Sequence, residues 1–237
     1  MRRIAVLVFP GTNSEDETLR LLRAYGAEAE LVHWSRWQTL AQYHAYVLAG
    51  GFAYEDRIRA GAIAARDAMM EPVIDGASRG KLVLGVCNGA QILLEAGLVP
   101  GGSDGQATAA FTRNAPSGHF ICTLVYVKLA VAPQRSAITA SLEPGCVMPA
   151  WAAHAEGRLA AQSKAIGAIV DGEHVTFVYA RADGIVDDAA NPNGSALYCA
   201  GLVNREGNVL AIMPHPERVY PQHSPLFESF VKAVAAS

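Results

Sequence analysis

Gly85-Val86-Cys87-Asn88-Gly89 frames a cysteine between two glycines, with one residue on either side. An apolar run, Lys81 to Val86, precedes it, and a helical pattern follows. A strand that turns at once into a helix around a nucleophile needs glycine at both flanking positions, because side chains there would collide across the turn. Such a turn pushes the thiol to its tip, at the helix N-terminus, where the helix dipole favours negative charge on sulfur. The next backbone N–H, on Asn88, points the same way and is placed to hold an oxyanion. The chemistry is nucleophilic attack by a thiolate on a carbonyl carbon. The competing reading is a buried, inert cysteine. It is the reading given to Cys122, Cys146 and Cys199, which lack the glycine frame.

A cysteine nucleophile needs a base, and the base needs a group to orient it. Seven histidines are available: His33, His44, His119, His154, His174, His215 and His223. His215 sits just past a buried apolar run, at the sheet edge expected to carry Cys87, and Pro216 biases it towards an extended conformation. In extended chain, i and i+2 share a side, so Glu217 is expected to hydrogen-bond the His215 ring and complete a Cys–His–Glu triad. A rigid proline-rich turn with a solvated His and Glu is the alternative. His154-Ala155-Glu156 repeats the His-x-Glu spacing without flanking prolines and follows no clear buried strand. It is read as a binding or interface element, or as a surface loop. Gly50-Gly51-Phe52 ends another apolar run, and a double glycine there lets backbone approach a ligand closely. Its N–H groups are candidates for the second half of an oxyanion hole; an ordinary turn is the alternative.

The elements that must position these residues are legible in outline. Ile4 to Phe9 is a β-branched apolar run that suits a strand buried on both faces. Ser14-Glu15-Asp16-Glu17 matches a capping box for a helix carrying Leu19, Leu22 and Tyr25, with Gly26 as its stop. Strands are expected at Glu30 to His33, Ala45 to Ala49 and Lys81 to Val86, and helices over 56–70 and from Pro72 to near Gly80. This alternation predicts an α/β fold, a doubly wound, mostly parallel sheet with helices on both faces. Its ligand site lies beyond the carboxyl ends of the strands, where the loops 10–14, 50–56 and 86–89 fall. Later, 100–118 reads as a long surface loop. Phe120 to Leu129, Val175 to Ala180 and Asn208 to Met213 read as strands, and Asp187 to Ser195 as loop. Phe227, Phe230, Val231 and Val234 mark a closing helix.

The chain has 237 residues, which suits one α/β domain, 1–237; no internal repeat or linker divides it. Hydrophobic residues make up 51% and charged residues 17%, which excludes disorder. The net charge of −3 argues against a nucleic-acid surface. No apolar run is long enough to span a membrane or serve as a signal peptide. Four cysteines without a C-x-x-C pair form neither a disulfide framework nor a zinc site, so the expectation is a reducing cytoplasm and no bound metal.

Leu84-Gly85-Val86-Cys87-Asn88-Gly89-Ala90-Gln91-Ile92-Leu93 resembles the nucleophile segment of class I glutamine amidotransferases. More narrowly, the chain resembles the glutaminase subunits of phosphoribosylformylglycinamidine synthase. The resemblance extends through Val8-Phe9-Pro10-Gly11-Thr12-Asn13, Gly50 to Asp56, Arg59 to Ala64, Ala153 to Arg158 and Asn208 to Arg218. Phe111 to Asn114 and Asn191 to Ser195 also match, so it runs nearly end to end in order.

The resemblance implies that Cys87 attacks the side-chain amide of L-glutamine, that His215 moves the proton, and that Glu217 orients His215. The N–H groups of Gly51 and Asn88 would form the oxyanion hole, and Gly51, Phe52 and Gln91 would bind glutamine. The ammonia released would serve a large synthetase subunit, assisted by a small accessory subunit. ATP and Mg would be bound by the synthetase, and this chain would carry no cofactor. That agrees with the absence of a G-x-x-x-x-G-K-[ST] phosphate loop. Four residues depart from the usual pattern. Ala90 replaces an aromatic residue, Glu55 a glycine, Ala60 a cysteine and Ala155 a glycine; none is a triad member. The competing functions are an amidotransferase serving another synthetase, a cysteine-elbow stress protein or hydrolase, and a non-catalytic subunit.

Overall fold

The computed structural model of the chain describes residues 2–101, 107–219 and 221–237. Part of the loop expected over 100–118 lies outside the described residues. Strands are β1 (Arg3–Val8), β2 (Glu28–His33), β3 (Ala45–Leu48), β4 (Leu82–Val86), β5 (Ala109–Thr112), β6 (Ile121–Leu129), β7 (Val147–His154), β8 (Arg158–Ala161), β9 (Val175–Ala180), β10 (Cys199–Val203) and β11 (Val209–Ile212). Helices are α1 (Glu15–Ala24), α2 (Met70–Ser78), α3 (Asn88–Glu95), α4 (Ser163–Asp171) and α5 (Pro225–Ala236).

Nine strands form one sheet in the order β2-β1-β3-β4-β11-β10-β9-β6-β7, and β5 pairs with β8 separately. The five strands from β2 to β11 are parallel, as the doubly wound reading requires. From β11 onward the pairing is antiparallel out to β7. The order reverses between β1 and β3. Right-handed crossovers therefore place α1 and α2 on opposite faces, and the crevice at the reversal is where such sheets bind ligands. Strands β3, β4, β10 and β11 are buried along their whole lengths, which is why β3, β4 and β11 read as unbroken apolar runs.

The structure corrects three expectations. Ser14 does not cap α1 with its side chain. Its Oγ instead accepts from the Gly50 N–H at 2.7 Å and donates to the Gly50 carbonyl at 3.3 Å, clamping the β1 loop to the β3 loop. Glu17, the other half of the expected capping box, pairs with Arg218 at 2.8 Å. No helix fills 56–70. Tyr54, Glu55, Asp56 and Ile58 hold positive φ, and Gly61 lies so close to α3 that a Cβ there would stand 2.7 Å from the Ile92 nitrogen. The segment is a chain of tight turns packed on α3. Strands β5, β7, β8 and β10 and helix α4 were not anticipated. In β7, Pro149 interrupts the strand pattern. It is tolerated because β7 is the last strand of the sheet, bridged on its outer side at Trp151 and not along its length.

Candidate active site

Strand β4 delivers Cys87 and α3 starts at the next residue, so the elbow stands where its sequence pattern places it. Cys87 adopts φ 51° and ψ −108°, a conformation costly for a side-chain-bearing residue. The flanking glycines make it possible. A Cβ on Gly85 would stand 2.7 Å from the Gly89 carbonyl oxygen, and one on Gly89 only 2.0 Å from that of Leu48. The thiol is buried, with Sγ 3.7 Å from the Ala153 carbonyl oxygen of β7.

His215 follows β11, and its backbone is pinned to β7 twice. Its N–H donates to the Trp151 carbonyl at 2.8 Å and its carbonyl accepts from the Trp151 N–H at 3.1 Å. Its Nδ1 meets Glu217 Oε1 at 2.5 Å, with both side chains buried. The pairing is the expected one, reached differently. Glu217 stands in a short 3-10 turn, Pro216–Val219, and not in extended chain. Cys87 and His215 converge on Gly50, where a Cβ would be 2.5 Å from His215 Cε1 and 3.3 Å from Cys87 Cβ. Burial alone would push the imidazole down. The Glu217 carboxylate and the Cys87 sulfur outweigh it and hold the ring above the ordinary histidine range.

Gly51, which follows β3, lines the same cavities as Cys87, and Asn88 opens α3 as the next residue. Among the described residues neither backbone N–H donates a hydrogen bond. The Asn88 side chain ties the loops together. Its Oδ1 accepts from the Ala53 N–H at 2.9 Å, and its Nδ2 donates to Gln91 Oε1 at 2.9 Å and Asp56 Oδ1 at 3.1 Å. Gln91 in turn donates to the Glu156 carbonyl at 2.7 Å.

A cavity of about 210 Å³ opens beside Cys87, lined among others by Phe52, Asp56, Gln91, His154 and Glu156. His154-Ala155-Glu156 therefore lines the site, in keeping with a binding element and not a surface loop, and the expectation that no buried strand precedes it is corrected: His154 is the last residue of β7. The signal was there as alternating burial of Met148, Ala150, Ala152 and His154, but small alanines carry little periodic contrast. Asp56 was also missed as a candidate. Burial first, and Glu156 second, raise its carboxyl to about 6. His154 is held by Asn114. The Asn114 Nδ2 donates to the His119 and His154 carbonyls, which leaves its Oδ1 to accept from the Gly157 N–H at 3.1 Å and from His154 Nδ1 at 3.2 Å. Burial pushes the His154 imidazole down to about 4, so the ring is neutral with its proton on Nδ1.

Of the departing residues, Ala90 is fully buried in α3, and Ala60 donates its N–H to Glu156 Oε2 at 3.1 Å. Glu55 has φ 59°, a conformation glycine adopts without strain. Cys146 and Cys199 line neither small cavity at Cys87, while Cys122, expected to be buried, is exposed and lines the second of them. Among the described residues no group of three His, Cys, Asp or Glu side chains could hold a metal ion, and no helix is long and apolar enough to cross a membrane.

Residues 1–226 match the model of the CobB/CobQ-like glutamine amidotransferase domain. The phosphoribosylformylglycinamidine synthase subunit PurQ of Symbiobacterium thermophilum is 44% identical over 223 residues, 93% of this chain and 89% of the relative. The chain belongs to the PurQ-type glutamine amidotransferases. The PurQ subunit of Pyrococcus horikoshii is 41% identical over 218 residues, 92% of this chain and 89% of its own. The structure of PurLQS from Thermotoga maritima superposes with a TM-score of 0.79 at 30% identity, over 99% of this chain and 98% of that one. The glutaminase domain of Trypanosoma brucei CTPS shares the amidotransferase fold, with a TM-score of 0.61 at 15% identity and 95% of its chain covered.

Proposed function

We propose that this amidotransferase is the glutaminase subunit of a phosphoribosylformylglycinamidine synthase in purine biosynthesis, with Cys87, His215 and Glu217 as its catalytic triad. The carrying observation is Cys87 on a strained elbow, beside a buried His215–Glu217 pair, with the Gly51 and Asn88 N–H groups unengaged among the described residues. His215 takes the thiol proton, and the Cys87 sulfur attacks the side-chain amide carbon of L-glutamine. The Gly51 and Asn88 N–H groups hold the oxyanion. On collapse the C–N bond breaks, the protonated His215 gives its proton to the departing nitrogen, and ammonia leaves a γ-glutamyl thioester. His215 then deprotonates a water that attacks the thioester, releasing glutamate and restoring the thiol. Glu217 keeps the His215 ring in the tautomer and orientation these transfers need. Phe52 and Gln91 bind the substrate.

The ammonia is consumed by a large synthetase subunit working with a small accessory subunit. These hold the ATP and Mg of the amidine-forming step; this chain needs no cofactor, nucleic acid or membrane. The chain acts as a single domain, 1–237, in the cytoplasm. The test is Cys87→Ala in the complex assembled with its synthetase. Glutamine-dependent activity is abolished and ammonia-dependent activity remains. Surviving glutamine-dependent turnover would remove Cys87 from the nucleophile role.

A further inference from the structure

Cys87 is not the only thiol at the elbow. Cys122, the second residue of β6, is exposed, and it lines a cavity of about 240 Å³ together with Cys87, His215 and Arg218. The two cysteines have a common neighbour. Cys122 stands opposite Ala153 in the β6–β7 register, and the Ala153 carbonyl oxygen is 3.7 Å from Cys87 Sγ. Directly opposed residues in an antiparallel pair have Cα atoms about 4.5–5.5 Å apart and side chains on one face. The pairing of β6 with β7 therefore carries Cys122 to the nucleophile.

The four cysteines differ in what their surroundings permit. Burial pushes the Cys199 thiol up to about 12, and its sulfur donates to the Gly201 carbonyl. Burial first, and Glu143 second, raise the Cys146 thiol. Both stay protonated, and a protonated thiol is a poor nucleophile. Cys87 has His215 to take its proton, and the Arg218 guanidinium on the same cavity wall favours negative charge on sulfur. An activated thiolate with a second, accessible thiol on one cavity is the arrangement of a reversible redox site.

We propose that Cys87 and Cys122 form a redox pair, in which Cys122 captures the oxidised nucleophile as a disulfide and keeps it recoverable. The oxidant is a peroxide. The Cys87 thiolate attacks one peroxide oxygen and the O–O bond breaks. The sulfur is oxidised by two electrons to the sulfenic acid, and the second oxygen leaves as water with the proton that His215 held. The Cys122 sulfur then attacks the Cys87 sulfur. The S–S bond forms, the S–O bond breaks, and the hydroxyl departs as water with the Cys122 proton. One peroxide becomes two waters, and two thiols become one disulfide. A disulfide holds its two Cα atoms within about 7 Å, so the start of β6 closes over the cavity until a dithiol reduces the bond.

The effect on activity rests on the glutaminase reading above; the thiol chemistry does not, so two readouts separate them. The complex assembled with its synthetase is treated with hydrogen peroxide, alkylated at its free thiols, digested without reduction and analysed by mass spectrometry. The expected product is a Cys87–Cys122 disulfide within one chain. Glutamine-dependent activity falls about tenfold or more and returns with dithiothreitol. In Cys122→Ser the same treatment takes Cys87 on to the sulfinic and sulfonic acids, and dithiothreitol restores less than about a tenth of the activity. Cys122→Ala gives the same result if Cys122→Ser does not assemble. Absence of the disulfide in the wild-type complex, a link between two chains, or equal recovery in wild type and variant would overturn the pair. Failure of the glutaminase reading shows differently: the untreated complex uses ammonia and not glutamine, while the Cys87–Cys122 disulfide still forms.

Discussion

A methyl group on Gly89 is the sharpest probe of the elbow. In Gly89→Ala the new Cβ would stand 2.0 Å from the Leu48 carbonyl oxygen, 2.7 Å from its carbon and 2.8 Å from its Cβ. Ordinary contact begins near 3.4 Å, so α3 and β3 must part by about 1.4 Å. Both clashing groups are backbone or close to it, so no flexible side chain can yield. Overpacking of this kind costs about 3 kcal/mol, the upper end of its usual range. At ~2.1 cal/mol/K per residue, the unfolding entropy of 237 residues is about 0.5 kcal/mol/K, so the melting temperature falls by about 6 °C. The same separation moves Asn88, which opens α3, away from Gly51, which follows β3. An ångström of misplacement costs on the order of 10²-fold in rate. Thermal melts and glutamine-dependent turnover read the two effects. Gly167→Ala is the control: it lies within α4, its Cβ would meet nothing within 4 Å, and it is expected to be neutral or mildly stabilising. If Gly89→Ala melted with wild type and turned over glutamine at the wild-type rate, the packing account of the elbow would be wrong.

Two further outcomes are expected. Glu217→Gln leaves the fold intact but lowers glutamine-dependent kcat by about 10²-fold or more, because the His215 ring loses the carboxylate that fixes its tautomer; steady-state kinetics with ammonia as the alternative donor check this. His154 is neutral in the folded protein down to about pH 4 and protonates near 6.5 when unfolded, so the unfolded chain binds more protons in that window. Stability therefore falls as pH drops from 6.5 towards 4, by roughly 3 kcal/mol from this residue. Urea titrations across that range should show a shallower acid loss in His154→Gln than in wild type, and parallel losses would contradict the assignment.

The features legible in the sequence are those enforced by local sterics or by burial on both faces. Gly85 and Gly89 announce the elbow because only glycine fits there, and the parallel strands announce themselves as continuous apolar runs. The His215–Glu217 pair was found through its spacing, although a 3-10 turn and not extended chain brings the two together. What stayed hidden depends on contacts distant in sequence. Ser14 carries the grammar of a helix cap, yet its hydroxyl serves Gly50. The segment 56–70 has helical spacing, but α3 and a run of left-handed residues break it. His154 and Glu156 gained their place only when β7 folded alongside Cys87.

The most direct test of the account is to trap the covalent intermediate. The complex turning over L-glutamine would be quenched in acid, digested and analysed by mass spectrometry. A γ-glutamyl thioester on the peptide containing Cys87, and on none containing Cys122, Cys146 or Cys199, is the predicted result. Sustained glutamine turnover with Cys87 unmodified, or the adduct on another cysteine, would contradict it.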